Sequence, residues 1–249
     1  MNETLKTLHS LRSIHGNFSD REVSGEDLQI ILNASVRAAN ASARQAYSII
    51  VVEDRDLMRQ LCGYAGSKLL LFCVDSNRLV AMAEHLGYTY LEESVVSFVT
   101  GSTDTILAAQ TAAVAAKSLG IDSLFTNGVH RGDMNRVFKL LDLPEKRCFP
   151  LIALVLGYPL QEPEYQKGRW TGAGVIHYGT YHPITTEELD TLVQHYDDPD
   201  VHMGLNDAWK DQGFAHYLDW FFEVWIGRGG PKTGKSQMFE LLERAGFAE

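Results

Sequence analysis

The chain reads as a mixed sheet with helices on both faces, an α/β sandwich. Three observations predict it. Short apolar runs of strand length alternate with longer amphipathic stretches, helix start and stop signals fall between them, and there is no internal repeat or low-complexity linker. A length of 249 residues with 45% hydrophobic content suits a single domain over 1–249, or a subunit that completes its core in a dimer.

The elements follow in order. Residues 3–12 read as a short helix that ends near a cationic cluster. Ser24, with Asp27 at the third helical position, is a helix start, and residues 28–39 place Leu28, Ile31, Leu32 and Val36 on one face. Residues 40–45 break that helix, and 48–52 form a strand closed by Glu53-Asp54. Residues 68–75 are a second strand, apolar enough to be buried on both faces. Residues 104–119 make a helix with Ala on nearly every face. Such a helix is central or lies close against a second subunit, and Gly120 stops it. A short strand at 123–126 runs into Asn127-Gly128, a helix covers 133–141, and Pro144 stops the chain after it. A strand at 150–156 ends at Gly157-Tyr158-Pro159, and 160–185 is polar and loop-like. Helices are expected at 187–196 and 236–245. The aromatic set Trp209, Phe214, Tyr217, Trp220, Phe221, Phe222 and Trp225 reads as core or dimer packing, because several of its members fall at helical spacing.

Charge and composition exclude several classes. A net charge of −10 argues against a nucleic-acid surface and makes any local basic cluster stand out. The N-terminus carries no signal pattern, and no apolar run reaches the length of a membrane helix. Cys62, Cys73 and Cys148 are scattered, without CxxC spacing, as expected for reduced packing residues of a cytoplasmic protein.

The chemistry-bearing residues are two cationic clusters far apart in the chain. One is Leu11-Arg12-Ser13-Ile14-His15, followed by Phe18. The other is Lys167-Gly168-Arg169, after Leu156-Gly157-Tyr158-Pro159. A buried phosphate needs fixed cations and hydroxyl or amide donors, and Arg12, Ser13, Lys167 and Arg169 are of those types. His15 adds a charge only when protonated.

Taken in order with the segments between them, these clusters resemble the flavin-mononucleotide-dependent nitroreductase family. The resemblance runs through Ala41-Ser42-Ala43-Arg44-Gln45, residues 69–78, Gly101-Ser102-Thr103-Asp104-Thr105, Asn127-Gly128-Val129-His130-Arg131 and the second cationic cluster. It is nearest to the branch of oxygen-insensitive, NADPH-preferring bacterial enzymes. Leu11, His15 and Ala43 depart from the family, which often has basic residues at the first two positions and Asn at the third.

The resemblance implies an α+β fold with a mixed, mainly antiparallel sheet flanked by helices, and a homodimer joined through the Ala-rich helix. It implies FMN as cofactor and NADPH or NADH as hydride donor. Small electrophiles would be reduced by a ping-pong mechanism, with no catalytic side chain and no metal. On this reading Arg12, Ser13, His15, Lys167 and Arg169 hold the phosphate and ribityl chain. Ser42, Arg44 and Gln45 contact the flavin, and the backbone at Asn127, Gly128 and Val129 faces its ring. Lys235, with Lys232 and Arg228 nearby, meets the 2′-phosphate of NADPH. Residues 177–226 match least and are expected to cover the substrate.

Two other readings stand beside this one. The losses at Leu11, His15 and Ala43 suit a flavin-binding protein for storage or sensing. Gly229–Ser236 spells a GxxxxGKS phosphate loop. Pro231 removes a backbone donor from that loop, and the chain after Ser236 is too short for the further strand a nucleotide hydrolase needs. His177 and His182 have no third ligand at suitable spacing.

Overall fold

A computed structural model describes residues 1–90, 94–227 and 234–248. The chain forms two compact units, Met1–Glu162 with Lys235–Glu249, and Pro163–Gly234.

The first unit runs α1 (Glu3–His9), α2 (Gly25–Ser35), β1 (Tyr47–Val52), α3 (Arg55–Cys62), β2 (Lys68–Asp75), α4 (Asn77–His85), α5 (Ser94–Ser118), β3 (Asp122–Thr126), α6 (Asn135–Leu141) and β4 (Cys148–Gly157). The second contributes α7 (Thr186–Asp197) and α8 (Tyr217–Trp220), and the chain returns to the first as α9 (Gln237–Ala245). Side-chain caps set several helix starts. Asn2 accepts from the Leu5 N–H, Ser24 from Asp27, Asp54 from Leu57 and Ser236 from Phe239.

The strands order as β1-β2-β4-β3, every pair antiparallel. A lone parallel bridge, Ser13 to Ser123, extends the β3 edge. Side-chain alternation divides β2 between two cores. Leu69, Leu71 and Cys73 face one, with Met58 and Leu61 of α3, Val137 and Phe138 of α6, and Leu241 of α9. Leu70 and Phe72 face the other, with Leu28 and Ile31 of α2 and the alanines of α5. Burial on both faces is why β2 is apolar at almost every position. Pro150 fits within β4 because β3 pairs only as far as Ala153, and the β2 register shifts between Phe72 and Cys73 beside it.

Spacing predicts the Ala-rich helix from Asp104, but α5 begins at Ser94. The expected start leaves Gly101 and the Ser/Thr after it outside the helix. A Cβ at Gly101 would come to 2.6 Å from Val74 Cγ1. This glycine permits close approach to the sheet and does not end the helix. The Thr105 hydroxyl bonds back to the Gly101 carbonyl at 2.6 Å, inside the helix. Of the two settings expected for the alanines, the central one is observed. Ala108, Ala109, Ala112, Ala113 and Ala116 pack on Leu70, Phe72, Leu154 and Leu156 of the same chain. Val95, Val96, Val99, Ile106 and Leu107 remain exposed on the helix. Other boundaries differ less. The first helix stops at His9 and the second at Ser35. Helices α3 and α4 are additions, although Asp54 and Gly63 mark the two ends of α3.

In the second unit, Trp209, Tyr217 and Trp220 form a small buried core with Tyr196 stacked on Tyr217 at 5.5 Å. Phe222 and Trp225, in the π-helical turn Phe221–Ile226, are 61% and 52% exposed. The aromatic set is thus only partly core.

Ala112→Leu should destabilise the protein by about 1–3 kcal/mol, because no space lies between α5 and the sheet for the added carbons. Urea denaturation measures it, with Ile106→Leu on the exposed face as a near-neutral control.

Candidate functional site

Residues 11–15 run extended along the edge of β3. The Ile14 N–H donates to the Ser123 carbonyl at 3.0 Å, and Phe18 bridges to Pro159. Alternation then sorts the side chains. Ile14 is buried, Arg12 turns inward with it, and Ser13 and His15 are exposed. The Arg12 guanidinium meets Asp122, the first residue of β3, with Nη2 at 2.6 Å and Nε at 3.1 Å from its carboxylate oxygens. The Lys117 Nζ, at the end of α5, reaches the same carboxylate at 2.6 Å. Glu162 accepts from Arg12 Nη2 at 2.7 Å on the solvent side.

Asp122 is 3% exposed. Burial alone pushes its pKa up, but hydrogen bonds from Arg12 and Lys117 outweigh burial and hold the carboxyl below its ordinary range. Arg12 is correspondingly pushed above its ordinary value by the Asp122 bond. Expected on a phosphate, Arg12 is found holding Asp122. The outward groups of the strip are Ser13 and His15.

The loop at 40–46 is strained. Ser42, Ala43 and Gln45 all have positive φ, at 53°, 56° and 48°. Such non-glycine conformations cost of order 1 kcal/mol each and persist where surrounding bonds over-determine them. Those bonds are present. Buried Asp104 accepts from the Ala41 N–H at 2.8 Å and the Ala46 N–H at 3.3 Å. Arg78 Nη2 donates to the Arg44 and Gln45 carbonyls at 3.0 and 2.6 Å. Gln45 Nε2 donates to the Val36 carbonyl and the Tyr47 hydroxyl. Arg44 Nε lies 3.4 Å from the Ala41 carbonyl. Ser42 is exposed.

At 127–129 the structure changes one expectation. The Gly128 N–H donates to Thr126 Oγ1 at 2.9 Å, so it is not aimed outward at a ring. The glycine is needed for packing, since a Cβ there would collide with the Cys62 carbonyl. The Val129 side chain is buried, and Asn127 is the exposed member.

These groups lie at two ends of the sheet. Ser13 adjoins Ser123, which pairs with Leu156, whereas the 40–46 loop leads into Tyr47, which pairs with Val74 and through it with Phe149. Seven residues of β4 span about 23 Å at roughly 3.3 Å each.

In the second unit, Lys167 Nζ donates to the Gly204 carbonyl at 2.6 Å and lies 3.7 Å from the Asp207 carboxylate. Arg169 Nη1 reaches the Lys167 and Gly168 carbonyls at 3.2 and 2.8 Å. Gly168 is pressed on Val201, whose carbonyl would lie 2.5 Å from a Cβ. Lys235, in the first unit, pairs with Glu243 at 2.6 Å. Arg228, Lys232 and most of the Gly229–Ser236 string lie outside the described residues.

The model of the Nitroreductase family matches residues 10–158, from just before the Arg12 strip to the end of β4. The chain belongs to that family. It is 33% identical to the "FMN reductase [NAD(P)H]" of Bacillus subtilis over 208 residues, 80% of this chain and 81% of that protein. It is 29% identical to the "Oxygen-insensitive NADPH nitroreductase" of Salmonella typhimurium, covering 100% of this chain and 99% of that protein. Among solved structures, NfrA2 of B. megaterium superposes with a TM-score of 0.80 at 29% identity, covering 100% of this chain and 99% of that one.

Asp122→Asn should cost about 2–3 kcal/mol near neutral pH, since two cations lose a buried partner and Arg12 stays partly solvated. The folded Asp122 pKa lies below the unfolded one. Its contribution is therefore present above the ordinary carboxylate range and is lost as pH falls through the depressed folded value. Denaturation at neutral pH and at successively lower pH should show the gap between wild type and variant closing with acid.

Proposed function

We propose that this protein is an FMN-dependent oxidoreductase that takes reducing equivalents from NADPH or NADH and delivers them to small electrophiles, nitroaromatics and quinones among them, by a ping-pong mechanism. The observation that carries the reading is the strip at 11–15, pinned through Arg12 and Asp122 so that Ser13 and His15 face outward within the family-matched segment. The names of the relatives, an FMN reductase and an NADPH nitroreductase, support it.

The residues present suit FMN. Ser13 supplies a hydroxyl donor for the phosphate, His15 a further donor, and Lys167 and Arg169 fixed cations. Arg12 positions the strip. The backbone at Ser42, Arg44 and Gln45 is locked before any ligand arrives, which limits the ordering cost of binding. Asn127 would supply the remaining polar contact to the ring, with Gly128 and Val129 next to it in the chain. Lys235 is assigned to the 2′-phosphate of NADPH. The hydride chemistry belongs to the bound flavin, and the protein supplies orientation and charge.

The separation of the strip from the 40–46 loop favours a homodimer in which one copy supplies the strip and the other the loop. The exposed Val95, Val99, Ile106 and Leu107 of α5 are apolar surface suited to that contact. We assign substrate cover to residues 177–226. We infer residence in the cytoplasm, supported by three cysteines that are free and buried.

Replacing Lys167 and Arg169 together by Ala removes two charge-assisted contacts. FMN affinity should fall on the order of a hundredfold, and NADPH oxidation with a nitroarene should become dependent on added FMN. A double variant that purifies with full flavin would contradict the phosphate assignment.

A further inference from the structure

A second cationic site lies at the end of the sheet opposite the 11–15 strip, on the side of the 40–46 loop, where the Asp75 N–H just before Ser76 donates to the Ala46 carbonyl. A cavity of about 400 Å³ is walled by Ser76 at the start of α4, Ser94 and Ser97 of α5, Lys146 and Arg147 before β4, and Phe247 after α9. That volume falls in the range of small-molecule sites. Ser94 and Ser97 are three residues apart on one helix, so their hydroxyls share a face. The described lining carries two cations and no carboxylate, in a chain whose net charge is −10. Glu92 and Glu93, between the lining residues Tyr90 and Ser94, lie outside the described residues, and two described flanking acids are engaged elsewhere. Asp75 accepts from the Ser48 hydroxyl and from Asn77, and Glu145 lies 3.9 Å from Arg244.

Arg147 is the informative residue. Its φ is +57°, a conformation that suits glycine and strains arginine. Its backbone is clamped, with its N–H donating to the Ala245 carbonyl at 2.9 Å and its own carbonyl accepting from the Ser76 N–H at 3.1 Å. Both clamping residues also line the cavity. The fold thus holds an arginine where glycine would be more stable, at the wall of a cavity that already contains a lysine and serine hydroxyls. Lys146 Nζ donates to the Arg244 carbonyl at 2.8 Å, which fixes the second cation beside it.

The geometry points to a second binding site for a small phosphate-bearing molecule, separate from the flavin phosphate strip. Lys146 and Arg147 meet the phosphate, the three serines donate to its oxygens, and Phe247 packs against the organic part. This site is not the flavin phosphate strip. Arg147 stands nine residues of chain before Leu156, the β4 partner of Ser123, about 30 Å at strand rise. The inference does not depend on the flavin reading.

The test is titration calorimetry of the flavin-loaded protein with inorganic pyrophosphate, so that the flavin phosphate position is filled beforehand. Wild type should bind pyrophosphate, more weakly as salt is raised. Arg147→Gly relieves the backbone strain, so it should fold at least as stably as wild type and yet bind about tenfold or more weakly. Lys146→Gln should weaken binding in the same direction, which gives a second reading if the glycine variant is unstable. If wild type shows no binding, the proposal is wrong. It is equally wrong if both variants bind as wild type does, because pyrophosphate would then occupy another site.

Discussion

One buried carboxylate organises the candidate site. Asp122 follows the turn out of α5 and begins β3, and its carboxylate holds Lys117 from that helix and Arg12 from the N-terminal strip. Left alone in this setting, a carboxylate would cost several kcal/mol of desolvation or would take up a proton. With two cations on it, it stays ionised and ties together segments 110 residues apart in the chain. Because Arg12 is drawn inward, period-two alternation turns Ser13 and His15 outward. Whatever the strip does for a ligand depends on that commitment of Arg12.

The second constraint is the sheet. Its two central strands are covered on both faces, so β2 and β4 are apolar almost throughout and the polar chemistry is displaced to their ends. Ser13 adjoins one end and the strained 40–46 loop the other. The loop keeps three non-glycine residues at positive φ through Asp104 and Arg78, neither of which is among the residues assigned to the ligand. In both places a charged side chain inside the fold fixes the direction of a polar segment outside it. Supporting ion pairs and backbone clamps thus set the direction of both segments.

Much of the fold was legible in local patterns. The apolar run at 68–75 matches β2 residue for residue, Ser24 caps the helix its position suggested, and the last helix, expected from Ser236, starts one residue later with Ser236 as its cap. What local patterns could not express were contacts between distant parts of the chain. Gly101 reads as lying before the helix until Val74 is seen against it. Gly128 reads as an outward N–H donor until Thr126 and Cys62 are placed. Arg12 shows its charge in the sequence but not its partner, because Asp122 lies in no motif with it. The three strained residues at 42–45 include no glycine and no proline to mark the turn, so the clamps from Asp104 and Arg78 were equally hidden. Helix α3 is a different case. Asp54 and Gly63 were readable as cap and stop, and the eight residues between them have helical periodicity.

The most direct measurement is the visible absorbance of the purified protein before and after anaerobic addition of NADPH. The account predicts an oxidised-flavin spectrum, present on purification or after supplying FMN, that bleaches promptly with NADPH or NADH. A colourless protein that takes up no FMN, or a bound flavin that neither nucleotide bleaches, would contradict it.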